Sequence, residues 1–105
     1  MNETSDVSLR HARFYVYILF SSKAKGFYIG FTNNLKTRLT QHAKGQVYST
    51  KFRLPVRLIH YEYFIDEKDA KAREKFLKSG YGRKQFKEIV KNTIENFGKH
   101  QMDSN

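Results

Sequence analysis

Seven consecutive apolar residues, Phe14 to Phe20, constrain the fold most strongly, because nearly all of them are aromatic or β-branched. Such a run is typical of a central strand that is covered on both faces. The segment from Ser21 to Gly26 is polar and ends in glycine, so it predicts a turn. Phe27 to Thr32 has strand composition again, and the two runs together predict a β-hairpin. A third strand is predicted from Val56 to Phe64.

Helical patterns fill the rest of the chain. Leu35, Leu39 and Ala43 recur every four residues and predict a helix, which Asn33 or Asn34 caps and Gly45 ends. Residues 46–54 are a polar, basic loop before Pro55. The later part of the chain predicts a helix from Asp66 to Ser79, a break at Gly80-Tyr81-Gly82, and a last helix from Arg83 to Phe97 that Gly98 ends.

These elements predict an α+β fold: a three-stranded antiparallel sheet flanked by helices, in the order β-β-α-β-α-α. We expect a flexible N-terminal segment over residues 1–12, one domain over 13–98 and a flexible C-terminal tail over 99–105. The longest apolar run has seven residues, whereas a membrane-spanning helix needs about 20. No secretory signal is visible in the first ten residues. We therefore expect a cytoplasmic monomer with no membrane contact and no partner protein.

Composition excludes some chemistry and favours one class of ligand. The chain has no cysteine, which excludes disulfides, thiolate zinc sites and cysteine nucleophiles. Twenty Lys and Arg against ten Asp and Glu give a net charge of +10. Residues 7–61 hold ten of the bases and no acid, so they should produce a positive field that attracts polyanions. The alternative is a ribosome-associated or merely soluble basic surface.

The predicted hairpin brings two tyrosines to one face of the sheet. With this turn, Tyr17 falls opposite Gly30 and Tyr28 falls opposite Leu19. Because side chains alternate along a strand, all four residues share a face. The two phenols would stand diagonally, with space beside the glycine. The alternative is that both are ordinary strand tyrosines whose hydroxyl groups reach solvent.

Two residues of the first helix are further candidates. Arg38 and His42 are i, i+4 neighbours beside the stripe formed by Leu35 and Leu39, so they point toward the sheet margin. The alternative is an arginine that extends along the surface and a histidine that packs or caps.

One carboxylate of the next helix is also a candidate. Glu74 shares a helical stripe with Ala70 and Leu77, and a carboxylate turned toward a core is costly unless it is paired or bound to a metal. The alternative is an exposed i, i+4 pair with Lys78.

At this point the ordered motifs resemble a family. Tyr15-Val16-Tyr17, then ten residues, then Tyr28-Ile29-Gly30 resemble the paired signature of the GIY-YIG nuclease superfamily. The resemblance covers about residues 13–90 and extends to the small stand-alone bacterial branch and the N-terminal nuclease domain of excinuclease C. It rests further on Thr32…Leu35…Arg38-Leu39…His42, Leu54-Pro55-Val56…Leu58…Tyr61 and Ala72-Arg73-Glu74-Lys75…Leu77-Lys78. One departure is Phe31, where the excision-repair enzymes resemble one another in having lysine.

The resemblance implies metal-dependent hydrolysis of DNA phosphodiester bonds, in repair or processing, with RNA as an open alternative. It implies that Tyr17 and Tyr28 sit over the scissile phosphate, with Tyr17 as general base or water-positioning residue. It also implies that Arg38 holds the phosphate, His42 takes the auxiliary helix position and Glu74 binds Mg²⁺ or Mn²⁺. The predicted nucleic-acid contacts are Lys36, Lys44, Tyr48, Lys51 and Arg53.

These residue types suit the chemistry. A bidentate guanidinium and a metal ion stabilise the negative charge of a phosphodiester transition state, and Mg²⁺ often uses one or two carboxylates with water and phosphate. A phenol with a pKa of about 10 is a poor base, and lowering it by two or three units takes roughly 3–4 kcal/mol. We predict that Arg38 and a cation lower the pKa of Tyr17. Two alternatives remain: a module of the same fold that binds nucleic acid but cuts slowly or not at all, and an RNA- or ribosome-associated basic protein.

Overall fold

The computed structural model describes residues 13–103, with side chains described for residues 13–97. Three strands form one antiparallel sheet in the order β2-β1-β3, so the predicted α+β class and three-stranded sheet are confirmed. The elements are β1 Phe14–Ser21, β2 Gly26–Thr32, α1 Leu35–Ala43, α2 Tyr48–Lys51, β3 Val56–Phe64, α3 Glu67–Lys78, α4 Gly80–Ile89 and α5 Lys91–Asp103. Within this described part, no helix is long and apolar enough to cross a membrane.

The hairpin register is the predicted one. Tyr17 pairs with Gly30, and Leu19 pairs with Tyr28. The apolar run of β1 lies in the centre of the sheet because β3 pairs with its other edge. An irregularity between Ile18 and Leu19 interrupts the β1–β3 register.

The two faces of the sheet are covered by different helices. One face packs an apolar core from both β1 and β2 against α3 and α4. Its buried residues are Val16, Ile18, Phe27, Ile29, Ala70, Leu77, Phe86 and Val90. The other face carries the alternate residues of the same strands, including Tyr17 and Tyr28, and His42 of α1 contacts both of these rings.

The predicted helix boundaries are confirmed where side chains cap the backbone. Asn34 accepts a hydrogen bond from the Thr37 N–H at the start of α1, and Gly45 follows the helix end with a φ of 73°. A positive φ is the conformation that glycine adopts without steric cost. Asp66 caps α3 by accepting bonds from the backbone N–H groups of Lys68 and Asp69.

The chain between α1 and β3 differs from the prediction. Residues 46–54 were expected to be a loop, but they contain the single-turn helix α2, so the observed order is β-β-α-α-β-α-α-α. Four residues are too few to produce a helical periodicity in the sequence. Tertiary contacts hold this turn, because Thr50 is fully buried.

The C-terminal region also differs. The expected single helix from Arg83 to Phe97 is two helices, α4 and α5, and α4 already begins at Gly80. The chain does break after α3, but Ser79 caps the new helix by accepting from the Gly82 N–H. A Cβ atom at Gly82 would overlap the carbonyl oxygen of Phe76, so glycine here permits a close helix–helix turn.

The expected end at Gly98 is wrong, because α5 continues to Asp103. Glycine inside a helix costs only about 1 kcal/mol relative to alanine, so it does not by itself stop one. The expected flexible segment over residues 1–12 lies outside the described residues. The flexibility expected for 99–105 stays a prediction, although most of this segment is helical.

Candidate active site

A buried chain of hydrogen bonds lies on the α1 face of the sheet. The Tyr17 hydroxyl is 2.8 Å from His42 Nε2, and His42 Nδ1 is 2.7 Å from Thr50 Oγ1. The exposed fractions of the three residues are 0%, 1% and 0%. Tyr17 is therefore not a strand tyrosine with its hydroxyl in water, and His42 connects β1 to α2 across the face.

Gly30 provides the space that Tyr17 occupies. It pairs with Tyr17 across β1 and β2, and a Cβ atom at this position would overlap the tyrosine ring and its hydroxyl. An alanine here would push the ring off the glycine backbone. The glycine of the second signature is thus required by close approach to the tyrosine of the first.

Tyr28 completes an aromatic cluster with the two buried rings. Its ring centroid lies 6.1 Å from that of Tyr17 and 5.1 Å from that of His42. Unlike them, Tyr28 is partly exposed. The site therefore reaches the surface at Tyr28.

Arg38 joins the same cluster from α1. Its guanidinium interacts with the phenols of Tyr17 and Tyr28 by charge and hydrogen bonding, and Nη1 donates to Gln41 Oε1 over 3.0 Å. An open cleft of about 410 Å³ lies beside it, between the end of β2 and α1. The cleft is lined by Phe31, Thr32, Asn33, Asn34, Thr37, Arg38 and Gln41. A cation at the edge of an open cleft is accessible to an anionic ligand.

Burial dominates the protonation of Tyr17 and His42. Burial raises the pKa of Tyr17 to about 12, and the hydrogen bond from Arg38 only partly offsets this. Arg38 alone therefore does not lower the pKa of Tyr17, because desolvation of the phenolate outweighs one guanidinium. The lowering expected from Arg38 together with a bound cation stays a prediction. Burial, with a contribution from the Arg38 charge, lowers the pKa of His42 to about 4. Both groups are neutral at pH 7.

Neutrality determines the direction of the hydrogen bonds. A neutral imidazole donates through one nitrogen and accepts through the other. With the Tyr17 O–H donating to His42 Nε2, this nitrogen is the accepting one. His42 Nδ1–H then donates to Thr50 Oγ1. This assignment satisfies every polar group in the chain of bonds.

Glu74 is on α3, which packs against the apolar face of the sheet, opposite the face that carries Tyr17. Lys71, three residues earlier, places its Nζ 4.1 Å from the ring centroid of Phe31 on β2, whereas Arg73 binds Glu62 on β3. The Glu74 side chain is 17% exposed, and its carboxylate is 2.9 Å from Lys78 Nζ. The paired state named as an alternative is thus observed. That Glu74 meets the tyrosines at a substrate stays a prediction.

Other carboxylates of the described chain have structural roles. Glu62 accepts bonds from Arg73 and His60, and although burial opposes this, the bonds hold its pKa below the ordinary value. Asp66 caps α3. Over residues 13–97, no cluster of three or more His, Asp or Glu residues forms a ready metal site. Glu74 is a single carboxylate, and Mg²⁺ can bind to one carboxylate when water and substrate oxygens supply its other ligands.

Comparison with known proteins decides the family. Residues 13–88 match the model of the GIY-YIG catalytic domain. The chain belongs to the GIY-YIG family. The match spans all three strands and continues through most of α4, so it includes every candidate site residue of this GIY-YIG domain.

Bacterial relatives extend the comparison. The chain is 40% identical over 65 residues to a UPF0213 protein of Clostridium perfringens, covering 61% of this chain and 69% of the relative. It is 34% identical over 86 residues to a UPF0213 protein of Pediococcus acidilactici, covering 77% and 85%. It is 40% identical over 73 residues to one of Streptococcus pyogenes, covering 68% and 77%. No solved structure matches.

The predicted nucleic-acid contacts of this GIY-YIG domain lie on α1 and on the connection from α1 to β3. All five side chains are exposed: Lys36, Lys44, Tyr48, Lys51 and Arg53. Lys51 Nζ lies 5.5 Å from the ring centroid of Tyr48 and 4.9 Å from that of Phe52. The segment therefore presents cations and an aromatic pair to solvent, on the α2 helix whose Thr50 supports His42.

Two residues of the site region were missed from the sequence. Thr50 has no local signal, because its partner His42 is eight residues away and in another helix. Phe52 had a signal, since an aromatic residue in a basic loop is a candidate for base stacking. The structure leaves it exposed beside Tyr48.

Proposed function

We propose that this chain is a divalent-metal-dependent endonuclease that hydrolyses phosphodiester bonds of DNA. The observation that carries the proposal is the buried hydrogen bond from Tyr17 to His42, with Arg38 and Tyr28 beside it. Burying a tyrosine hydroxyl costs free energy unless it has a hydrogen-bond partner. A domain with a purely structural role does not require such a group under a helix. A site for phosphate chemistry does need fixed donors that cost no reorganisation.

Arg38 is the phosphate-binding group in this proposal. Its side chain borders an open cleft, and the neighbouring phenol of Tyr17 is neutral at pH 7, so the positive charge of Arg38 is available to a phosphate. Charge-assisted bonds from a guanidinium strengthen as negative charge develops on the phosphate oxygens. Arg38 thus stabilises the transition state more than the ground state.

Tyr17 positions the attacking water in this proposal. A pKa of about 12 leaves almost no phenolate at neutral pH, so a preformed base is disfavoured. As the water oxygen bonds to phosphorus, the bond from phosphorus to the leaving sugar oxygen breaks, and solvent protonates that oxygen. The water proton passes to the Tyr17 oxygen while the Tyr17 proton passes to the unprotonated Nε2 of His42, and Thr50 holds the ring in the required tautomer.

Glu74 is the residue that would hold Mg²⁺ or Mn²⁺. When bound, such an ion supplies Lewis-acid stabilisation of the charge on the reacting phosphate. Glu74 would exchange its contact with Lys78 for the ion. An i, i+4 pair on a helix is worth only a few tenths of a kcal/mol, and Lys78 is half-exposed although Glu74 is partly buried, so this exchange costs little.

Lys36, Lys44, Tyr48, Lys51 and Arg53 bind the nucleic acid outside the scissile bond in this proposal. Their support is exposure on α1 and on the connection from α1 to β3, together with the absence of any carboxylate in residues 13–61. Each phosphate neutralised should lower log K by about 0.9 per log unit of salt on duplex DNA. A role in DNA repair or processing belongs to the same proposal.

The deciding experiment measures nicking of labelled duplex, single-stranded and branched DNA with Mg²⁺, Mn²⁺ or EDTA. We expect cleavage with either ion and none with EDTA. Glu74→Ala should lose at least about 100-fold in rate, since removing one group that stabilises transition-state charge costs that much. Lys78→Ala, which keeps the carboxylate, is the matched control and should retain cleavage. Equal rates for Glu74→Ala and the parent protein would reject the site.

A second candidate function is nucleic-acid binding with slow or no cleavage. The pairing of Glu74 with Lys78 favours it, because the carboxylate is occupied. It predicts the same salt-dependent binding without product in any metal. Binding that did not change with salt would reject both candidates.

A further inference from the structure

Three tyrosines on the active-site face lie outside the hydrogen-bonded site. Tyr15 is on β1, and Tyr61 and Tyr63 are on β3. Tyr63 pairs with Tyr15 and Tyr61 pairs with Tyr17, so the alternation of side chains puts all three on the face that carries Tyr17. The Tyr15 ring centroid lies 6.0 Å from that of Tyr61 and 5.6 Å from that of Tyr63. We name these three residues the tyrosine cluster.

The tyrosine cluster is open to solvent. The exposed fractions of Tyr61 and Tyr63 are 52% and 40%, and Leu58 on the same strand is also exposed. Single exposed apolar residues are normal, but a contiguous exposed patch marks a binding surface. This patch is next to the site, because Tyr61 is the β3 neighbour of Tyr17.

Charge selects the occupant of this surface. Residues 13–61 include β1, β2, α1, α2 and Tyr61, and they contain no carboxylate. Glu62 has its carboxylate bound to Arg73 of α3, on the opposite face of the sheet. Around Tyr15 and Tyr61 a polyanion therefore approaches a segment without negative charge, whereas an acidic-rimmed site would reject it.

The spacing of the tyrosine rings indicates which part of a polyanion they would contact. Tyr61 and Tyr63 are two residues apart on one strand, which corresponds to about 6.8 Å, and successive stacked bases are about 3.4 Å apart. Two such rings meet different bases of one strand. The faces of bases are covered in a duplex and are available for aromatic stacking only where the strand is unpaired.

We propose that Tyr15, Tyr61 and Tyr63 form a stacking platform for unpaired bases, so that the substrate of this nuclease face is single-stranded or locally unpaired nucleic acid. The inference rests on the proposed function for the position of the strand across the site. Tyr61 then holds a base beside the phosphate that Arg38 binds. Tyr15 packs against both β3 rings and acts as a positioning residue for them.

The test measures binding in EDTA, so that no cleavage interferes, at one fixed salt concentration. The probes are a fluorescein-labelled single strand and an abasic strand of the same length and charge, compared by fluorescence anisotropy. We expect the protein to bind the base-bearing strand at least about 10-fold more tightly, since stacking on an aromatic ring contributes about 5- to 150-fold per base. Tyr61→Leu/Tyr63→Leu should lose most of this preference, with unchanged affinity for the abasic strand.

Matched variants separate stacking from folding. Tyr61→Phe/Tyr63→Phe keeps both rings and should keep the preference, and Tyr81→Leu replaces an exposed tyrosine on α4 and should have no effect. Far-UV circular dichroism checks that each variant is folded. A folded leucine variant that keeps the preference, or a parent protein without one, overturns the inference. So does a cluster that instead drives self-association, seen by sedimentation velocity as a dimer that the leucine variant abolishes.

The outcome is distinguishable from failure of the proposed function. Glu74→Ala should keep the preference for bases while losing cleavage. A chain that never cuts but shows the tyrosine-dependent preference would reject the nuclease and leave the stacking platform standing.

Discussion

The two faces of the sheet use alternate residues of the same strands for different purposes. On the α3–α4 face, Val16 and Ile18 pack into an apolar cluster. On the α1 face, Tyr17 lies between them in sequence and is equally buried, but it is held by a hydrogen bond to His42. One face supplies stability through apolar burial, and the other holds polar groups in place at some cost. Burial alone therefore does not separate core from site, whereas the chemistry of the buried contacts does.

The largest expected effect tests the apolar face. Leu77→Ala removes a fully buried side chain from the core and should lower the free energy of unfolding by about 2–5 kcal/mol. Urea unfolding followed by circular dichroism measures it. The fraction of protein that stays folded should cut DNA at the parental rate. If folded Leu77→Ala cleaved DNA much more slowly than the parent protein, the two faces would not have separate roles.

The next effect sharpens the comparison through pH. His42 has an unfolded pKa near 6.5 and a folded pKa of about 4, so the unfolded state binds a proton first. Stability is full above pH 6.5 and falls as pH decreases toward 4, by about 3 kcal/mol. The lowered pKa of Glu62 acts in a more acidic range, below its ordinary value of 4.5.

Urea unfolding at pH 7.5, 6 and 5 measures the pH effect. The His42→Gln side chain cannot titrate, so the free energy of unfolding of this variant should be nearly constant between pH 6.5 and 5. At pH 7.5 the variant should be less stable than the parent protein. If the parent protein were as stable at pH 5 as at 7.5, His42 would not be buried in its neutral form.

A smaller effect tests the support of the site. Thr50→Val keeps the shape of the side chain but leaves His42 Nδ1 without its partner, which should cost about 1–3 kcal/mol of stability. Thr50→Ser keeps the hydroxyl and is the matched control. We expect the valine variant to lose more cleavage rate than its stability loss accounts for, because the imidazole is no longer oriented. Parental cleavage by stable Thr50→Val would show that this hydrogen bond has no role in the reaction.

The smallest effect concerns the surface pair on α3. Lys78→Ala removes the contact with Glu74 and should change stability by only a few tenths of a kcal/mol, as is usual for exposed helical pairs. Thermal unfolding monitored by circular dichroism measures it. A loss above about 1 kcal/mol, beyond the usual range for such pairs, would mean that the pair is structural, and that Glu74 is not free to exchange lysine for a metal ion.

Local sequence patterns were sufficient to predict most of the fold. The apolar run from Phe14 to Phe20, the polar turn after it and the alternation of side chains were enough to predict that Tyr17 faces Gly30. The helix caps Asn34 and Asp66 were also readable, since a capping side chain bonds to backbone only two or three residues away. By contrast, α2 is held by the buried contact of Thr50, and the end of α5 beyond Gly98 lacks a strong stop signal.

The site divides in the same way. The identities of Tyr17, Tyr28, Arg38, His42 and Glu74 came from the ordered motifs, which the family match supports. The pKa of Tyr17 could not be predicted from residue types, because a nearby arginine lowers it and burial raises it. Only the depth of the ring under α1 decides which effect is larger. The same burial lowers the pKa of His42, so the imidazole is neutral and can accept a hydrogen bond from the Tyr17 hydroxyl.

By itself the amino-acid sequence determined the strands, the register of the β1–β2 hairpin, the family and the excess of positive charge, because each depends on neighbours along the chain or on composition. The tertiary structure decided that Thr50 holds His42, that Tyr17 stays neutral, and that Tyr15, Tyr61 and Tyr63 meet on the open part of the face that carries Tyr17. These properties depend on desolvation and on contacts between distant segments. Both arise only when the helices cover the sheet.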